Sequence, residues 1–226
     1  NRYADCKDYA TILYALLKAK NIESHPVLIR SELGNWFPEV AAPDFFNHAI
    51  LYIPSLNLFA DATAPNTRLG LIQQPIVGKK AVLAGERTGV VEMPRDNPAD
   101  NQLLSDAEIV FAADGSLKAV SKNVYDGRSE IIYRPLFADA SVRKTSGNFI
   151  RTMLAFFGVE GSGKVVKTGN PFKTGEPLAV ETEVEIANFT TFQPNGAFSL
   201  PVAVNLLNPL ELEQFVKPAR RNTNLI

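Results

Sequence analysis

Residues 47–63 constrain the fold more than any other stretch. Asn47–Ile53 and Leu58–Thr63 are both rich in apolar, strand-favouring residues, with Pro54-Ser55-Leu56-Asn57 between them. This pattern predicts a β-hairpin, two antiparallel strands joined by a four-residue turn. With that turn, Ile53 opposes Leu58, Ile50 opposes Asp61 and His48 opposes Thr63. Strand side chains alternate between faces, so His48 and Asp61 share one face as diagonal neighbours. Such neighbours sit roughly 7–8 Å apart at the backbone, within reach of an imidazole and a carboxylate. A slip of one residue would put them on opposite faces.

A second constraint lies upstream. Asp5 to Asn21 reads as a helix, with Asp5 as N-cap and Asp8 three positions on, as in a capping box. Tyr9, Ile12, Leu13, Leu16 and Leu17 form an apolar stripe at helical spacing, with Cys6, Ala10, Leu13 and Leu17 along its edge. Asn21 is the expected terminator. Cys6, the only cysteine in 226 residues, thus heads a helix. Unpaired N–H groups and the helix dipole favour a thiolate there, which is the nucleophilic form. The alternative is a core cysteine, since free Cys is among the most buried residue types.

The bulk numbers exclude several classes. One cysteine rules out an internal disulfide and a multi-Cys metal centre, and two histidines rule out a His-rich one. A net charge of -1 carries no basic excess for nucleic acid or an anionic membrane. Apolar runs such as Ala49–Pro54 are far too short to span a bilayer. The residues name no cofactor and no metal. Oligomeric state is left open.

Pro26–Ile29 reads as a short buried strand, and His25 before it as a surface residue. Residues 31–45 read as a loop in which Trp36 and Phe37 either line a cleft or cover a core edge. Val77–Leu83 and Val90–Met93 are further strand candidates. The run 94–102, with two prolines and several Asn and Asp, predicts a linker between a domain at 1–93 and another at 103–226. In the second domain, 104–112 and 116–125 predict a hairpin around Ala113-Asp114-Gly115. Helices are expected over 129–144, kinked at Pro135, and over 147–157, ended by Gly158. Leu178–Thr190 alternates like a half-buried strand, and Ala197–Leu207 is a weaker candidate. Gly158–Lys164 is glycine-rich like a phosphate loop, but Val165 stands where Ser or Thr is needed and the helix precedes the loop, so that reading is set aside. The fold class is α+β throughout.

Asp5-Cys6-Lys7-Asp8, Phe46-Asn47-His48 and Asp61-Ala62-Thr63, in that order, resemble the motifs of the transglutaminase-like superfamily, in its bacterial branch with uncharacterised flanking domains. The likeness covers about residues 1–93; Ala4 stands where that family usually has Gly. It implies a papain-like core, a Cys helix packed on an antiparallel sheet, and a triad of Cys6 as nucleophile, His48 as general base and acid, and Asp61 orienting the imidazole. It also implies helical segments upstream of Asn1, so the chain is expected to be a C-terminal portion of a longer protein. The side-chain member of an oxyanion hole would then lie outside it, and the portion by itself could be inactive.

The chemistry so implied is thiol-dependent acyl transfer on peptide or side-chain amide bonds, with hydrolysis favoured over cross-linking. The partner is a peptide or protein substrate, for which Trp36 and Asn47 are the candidate binding residues. The compartment implied by the resemblance is the periplasm or cell envelope. The competing reading is a non-catalytic protein- or peptide-binding module built on the same scaffold. It gives no reason for Cys6, His48 and Asp61 to occur together.

Overall fold

The computed structural model describes residues 4–32, 43–85, 88–95, 97–156 and 159–189. Its architecture is α+β with two antiparallel sheets. The described residues divide into two compact units, and not by a single cut at 94–102: residues 126–138 and 171–177 group with the first unit, while 103–125, 139–170 and 178–189 belong to the second.

The first unit holds helix α1 (Cys6–Ala19) and a five-stranded sheet. Its strands are β1 (His25–Ile29), β2 (His48–Ile53), β3 (Leu58–Ala60), β4 (Lys80–Leu83) and β5 (Gly89–Glu92), in spatial order β3-β2-β1-β4-β5. The β2–β3 register pairs Ile53 with Leu58 and Leu51 with Ala60, as the four-residue turn predicts. Asn57 closes that turn in the left-handed region at φ 46°, a conformation Asn tolerates better than most residues.

Helix α1 begins at the predicted capping box: Asp5 accepts from the Lys7 and Asp8 amides, and Asp8 Oδ2 accepts from Asp5 N at 3.0 Å. It ends with Asn21 at φ 57°, the Asn21 N–H bonding Lys18 O and the Ile22 N–H bonding Leu17 O. Both bonds satisfy carbonyls that the last turn leaves without partners. The buried face is narrower than the sequence stripe. Ala10, Leu13, Tyr14 and Leu17 pack on Leu28, Ala49 and Leu51 of the sheet. Tyr9, Ile12 and Leu16 of the same stripe are 45%, 56% and 60% exposed. Periodicity locates an apolar arc, and tertiary packing chooses which part of that arc meets the sheet.

The opposite face of the sheet carries the larger core, where Val27, Ile29, Ile50, Phe59, Ile76 and Met93 meet. His25 is a correction: at 9% exposure it lies inside the strand, its Nε2 2.9 Å from Glu23 Oε1.

Helix α2 (Ser129–Ala138) belongs to this unit and runs through Pro135 without breaking. The single helix expected over 129–144 is divided at Asp139, before α3 (Ala140–Lys144). Glu130 and Arg134, one turn apart on α2, are fully buried and paired. Glu130 also accepts from Arg68 and from the Gly127 N–H, while Arg134 donates to the carbonyls of Pro171 and Glu176. A buried ion pair persists only when hydrogen bonds take up its remaining positions, and these contacts do so on both partners. Gly127, at φ +74°, lies so close to the chain at Asp100 that a Cβ would stand 2.1 Å from its carbonyl oxygen.

The second unit is a four-stranded sheet in the order β6-β7-β9-β8, formed by β6 (Leu103–Phe111), β7 (Leu117–Tyr125), β8 (Ser162–Thr168) and β9 (Leu178–Ile186), with α4 (Ser146–Phe156) packed on it. Leu117, Ala119, Val184 and Ile186 face Ile150 and Leu154 of α4. The alternating positions outward carry Lys118–Glu185 and Lys164–Glu183 ion pairs. Ser162, Gly163 and Lys164, the last residues of the glycine-rich run, lie inside β8 and pair with β9. The strand candidate at 197–207 and the helix terminator Gly158 lie outside the described residues.

Candidate active site

The site is assembled from three elements of the first unit. Helix α1 brings Cys6 at its first position, where the backbone N–H has no acceptor within the helix. Strand β2 brings His48 as its first residue, paired with Ile29 of β1. The chain leaving β3 brings Asp61. These three were candidates from the sequence, and the fold puts them in contact.

His48 Nε2 lies 2.8 Å from Asp61 Oδ2. The side chain of Asp61 is wholly buried and that of His48 is 12% exposed, so the pair is shielded from water while the imidazole keeps an open edge. Cys6 is half-buried, its Sγ 3.8 Å from the Asn47 carbonyl oxygen, and it lies close enough to His48 to raise the imidazole's proton affinity. Because Nε2 is taken by Asp61, Nδ1 is the ring nitrogen left for a proton from elsewhere. With Nε2–H donating to the carboxylate, Nδ1 carries the lone pair that can take the thiol proton.

The electrostatics follow from these contacts. Burial acts to keep His48 neutral, but the hydrogen bond and charge of Asp61, and then those of Cys6, outweigh it and raise the imidazole above its ordinary 6.5. Burial likewise pushes the Asp61 carboxyl up. The hydrogen bonds from His48 and Thr63 outweigh that and hold it below 3.8. Asp61 is therefore a carboxylate at neutral pH.

The remaining lone pairs of Asp61 are also filled. Oδ1 accepts from Thr63 N at 2.9 Å and Thr63 Oγ1 at 2.6 Å, and Oδ2 accepts from Gln73 Nε2 at 3.4 Å. Sequence reasoning missed both donors. Thr63 carried a signal, since Asp-x-Thr is a pattern in which the carboxylate caps the backbone two residues on. Gln73 carried none, because the chain between 63 and 73 has no periodic pattern that would return it to Asp61.

Asn47 sits beside the thiol, but its side-chain oxygen is occupied within the fold. It accepts from Ser31 N at 2.8 Å and Ser31 Oγ at 3.1 Å, tying the end of β1 to the start of β2. Its backbone carbonyl, rather than its amide, faces Cys6. Trp36 lies outside the described residues. Among the described residues, no group of three or more His, Cys, Asp or Glu could hold a metal ion, and no helix is long and apolar enough to cross a membrane.

No protein-family model, no curated protein and no solved structure matches this chain. What it does must be argued from the site itself.

Proposed function

We propose that the chain carries the nucleophilic centre of a thiol acyl-transfer enzyme acting on peptide or side-chain amide bonds. One observation carries the reading: a thiol at a helix N-terminus beside Asn47, the residue before His48, with the His48 imidazole held 2.8 Å from a buried carboxylate. This is the nucleophile, base and orienting group that covalent acyl transfer needs. The three residues are also those of the transglutaminase-like motifs, and a Cys helix packed on an antiparallel sheet is the arrangement a papain-like core would have.

The chemistry runs as follows. His48 Nδ1 takes the Cys6 proton, and the resulting imidazolium is stabilised by Asp61. The thiolate attacks the amide carbonyl carbon, forming a C–S bond and a tetrahedral oxyanion. The Cys6 N–H, with the positive end of the helix behind it, is placed to donate to that oxygen. His48 returns the proton to the leaving nitrogen as the C–N bond breaks. Water, deprotonated by His48, then cleaves the thioester; an amine acceptor would instead give transamidation. We favour hydrolysis, of a peptide or protein substrate in the bacterial envelope, in line with the resemblance.

The test is the pH dependence of iodoacetamide labelling at Cys6 in wild type and His48→Ala. Labelling that proceeds well below the ordinary thiol range of about 8.5, and shifts upward in the mutant, supports an activated thiolate coupled to His48. Slow labelling indifferent to His48 would remove the mechanism.

A further inference from the structure

The Asp61 carboxylate is held by more than its histidine. We propose that Thr63 and Gln73 are positioning residues for the site: they close a ring of donors around Asp61 that fixes the tautomer and the pitch of the His48 ring. Their relevance to turnover rests on the acyl-transfer reading; the ring itself can be tested without it.

Proton bookkeeping makes the ring directional. The Thr63 hydroxyl has one hydrogen, and at 2.6 Å it goes to Asp61 Oδ1. Its oxygen is then free to accept, and Gln73 Nε2 lies 3.4 Å from it. The second amide hydrogen of the same nitrogen points to Asp61 Oδ2, also at 3.4 Å. With the Thr63 N–H on Oδ1 and His48 on Oδ2, every group around the carboxylate is a donor. Asp61 can only accept, so it stays ionised. His48 must then present Nε2–H to it, which leaves Nδ1 as the basic nitrogen.

Gln73 is not a passing surface amide. It lies between Ile72 and Ile76, both buried in the larger core, and its carbonyl accepts from Ile76 N at 3.1 Å. Earlier in the same segment, Arg68 is bonded to Asp126 and Glu130. The loop that delivers the amide is thus anchored before and after Gln73 along the chain. The titratable groups acting on the pair are Cys6 from α1, His48 from β2 and Asp61 from the chain after β3.

The experiment is nitrogen-15 NMR of the two histidines through a pH titration, with His48→Ala assigning the signals. Wild type should show the Nε2–H tautomer at His48 above its pKa. Thr63→Val and Gln73→Leu should each mix the tautomers and move the titration down, by about half a pH unit or more. Thr63→Ser, which restores the hydroxyl, should recover the wild-type spectrum. Gln73→Glu keeps the side-chain shape and adds charge, so it should move the titration the opposite way, upward, even if Gln73→Leu does not fold. Wild-type tautomer and titration in both Thr63→Val and Gln73→Glu would overturn the proposal. Cys6 labelling in His48→Ala is read separately: its failure would remove the enzyme reading and leave the ring standing.

Discussion

His48 Nε2 and Asp61 Oδ2 stand 2.8 Å apart although they lie 13 positions apart in the chain, because the β2–β3 hairpin returns the chain in one register only. Shifting that register by one residue would turn one of the two side chains to the other face. The contact that defines the site is therefore a property of the turn, and the turn a property of Pro54 through Asn57.

That pair makes stability depend on pH with a defined sign. The folded pKa of His48 is raised above 6.5, so its contribution is complete below that value and is lost as pH rises through the folded pKa. The folded pKa of Asp61 is depressed below 3.8, so its contribution is present above that value and is lost as pH falls through the folded pKa. Urea melts of wild type and His48→Ala should differ more at about pH 5.5 than at about pH 9. A constant difference would contradict the raised imidazole.

Catalysis should respond unequally to the three residues. On the acyl-transfer reading, Cys6→Ala and His48→Ala abolish turnover of an amide substrate. Asp61→Asn, which leaves the volume but invites the wrong imidazole tautomer, lowers kcat by about 10²–10⁴-fold. Equal kcat in wild type and Cys6→Ala would exclude the mechanism.

Glu130 is the residue of the first unit whose loss should cost the most stability outside the site. Truncating it to Ala leaves Arg134 buried and uncompensated, at a cost of about 3–5 kcal/mol. Denaturant midpoints measure this. Lys164→Ala is the control, because its pairing with Glu183 is exposed to solvent and should leave the midpoint nearly unchanged.

In the second unit, Gly163→Ala should loosen helix α4 from its sheet. A Cβ there would stand 2.3 Å from Glu183 O and 2.7 Å from Ile150 Cγ2. Backbone cannot yield as a flexible side chain does, so an overpacking cost of about 1–3 kcal/mol is expected, read as a lower melting temperature. Gly175→Ala, with nothing within 4 Å of its added Cβ, should be neutral.

Much of the site was legible from local chemistry. Asp5 and Asp8 mark the start of α1 because short carboxylates satisfy its first N–H groups, and this places Cys6 at the helix head. Alternation and turn length put His48 and Asp61 on one face. Long-range choices were not legible. Nothing local says that Tyr9, Ile12 and Leu16 face outward while Ala10 and Tyr14 face the sheet, since both arcs are apolar. Pro135 lies inside α2, and the helix end at Ala138 is not one that the proline marks. The side chain of Asn47, read as a substrate contact, is engaged by Ser31.

The sequence by itself determined α1, the strands of the first unit and the hairpin register, because capping, alternation and turn geometry act over a few residues and depend only on neighbours along the chain. Tertiary structure alone decided which face of α1 is buried, that Gln73 returns to Asp61, and that Arg68 reaches Asp126 and Glu130. Those contacts join residues from 12 to 62 positions apart. Their partners are selected by three-dimensional packing and by the need to satisfy buried charge, and neither leaves a periodic trace in the sequence.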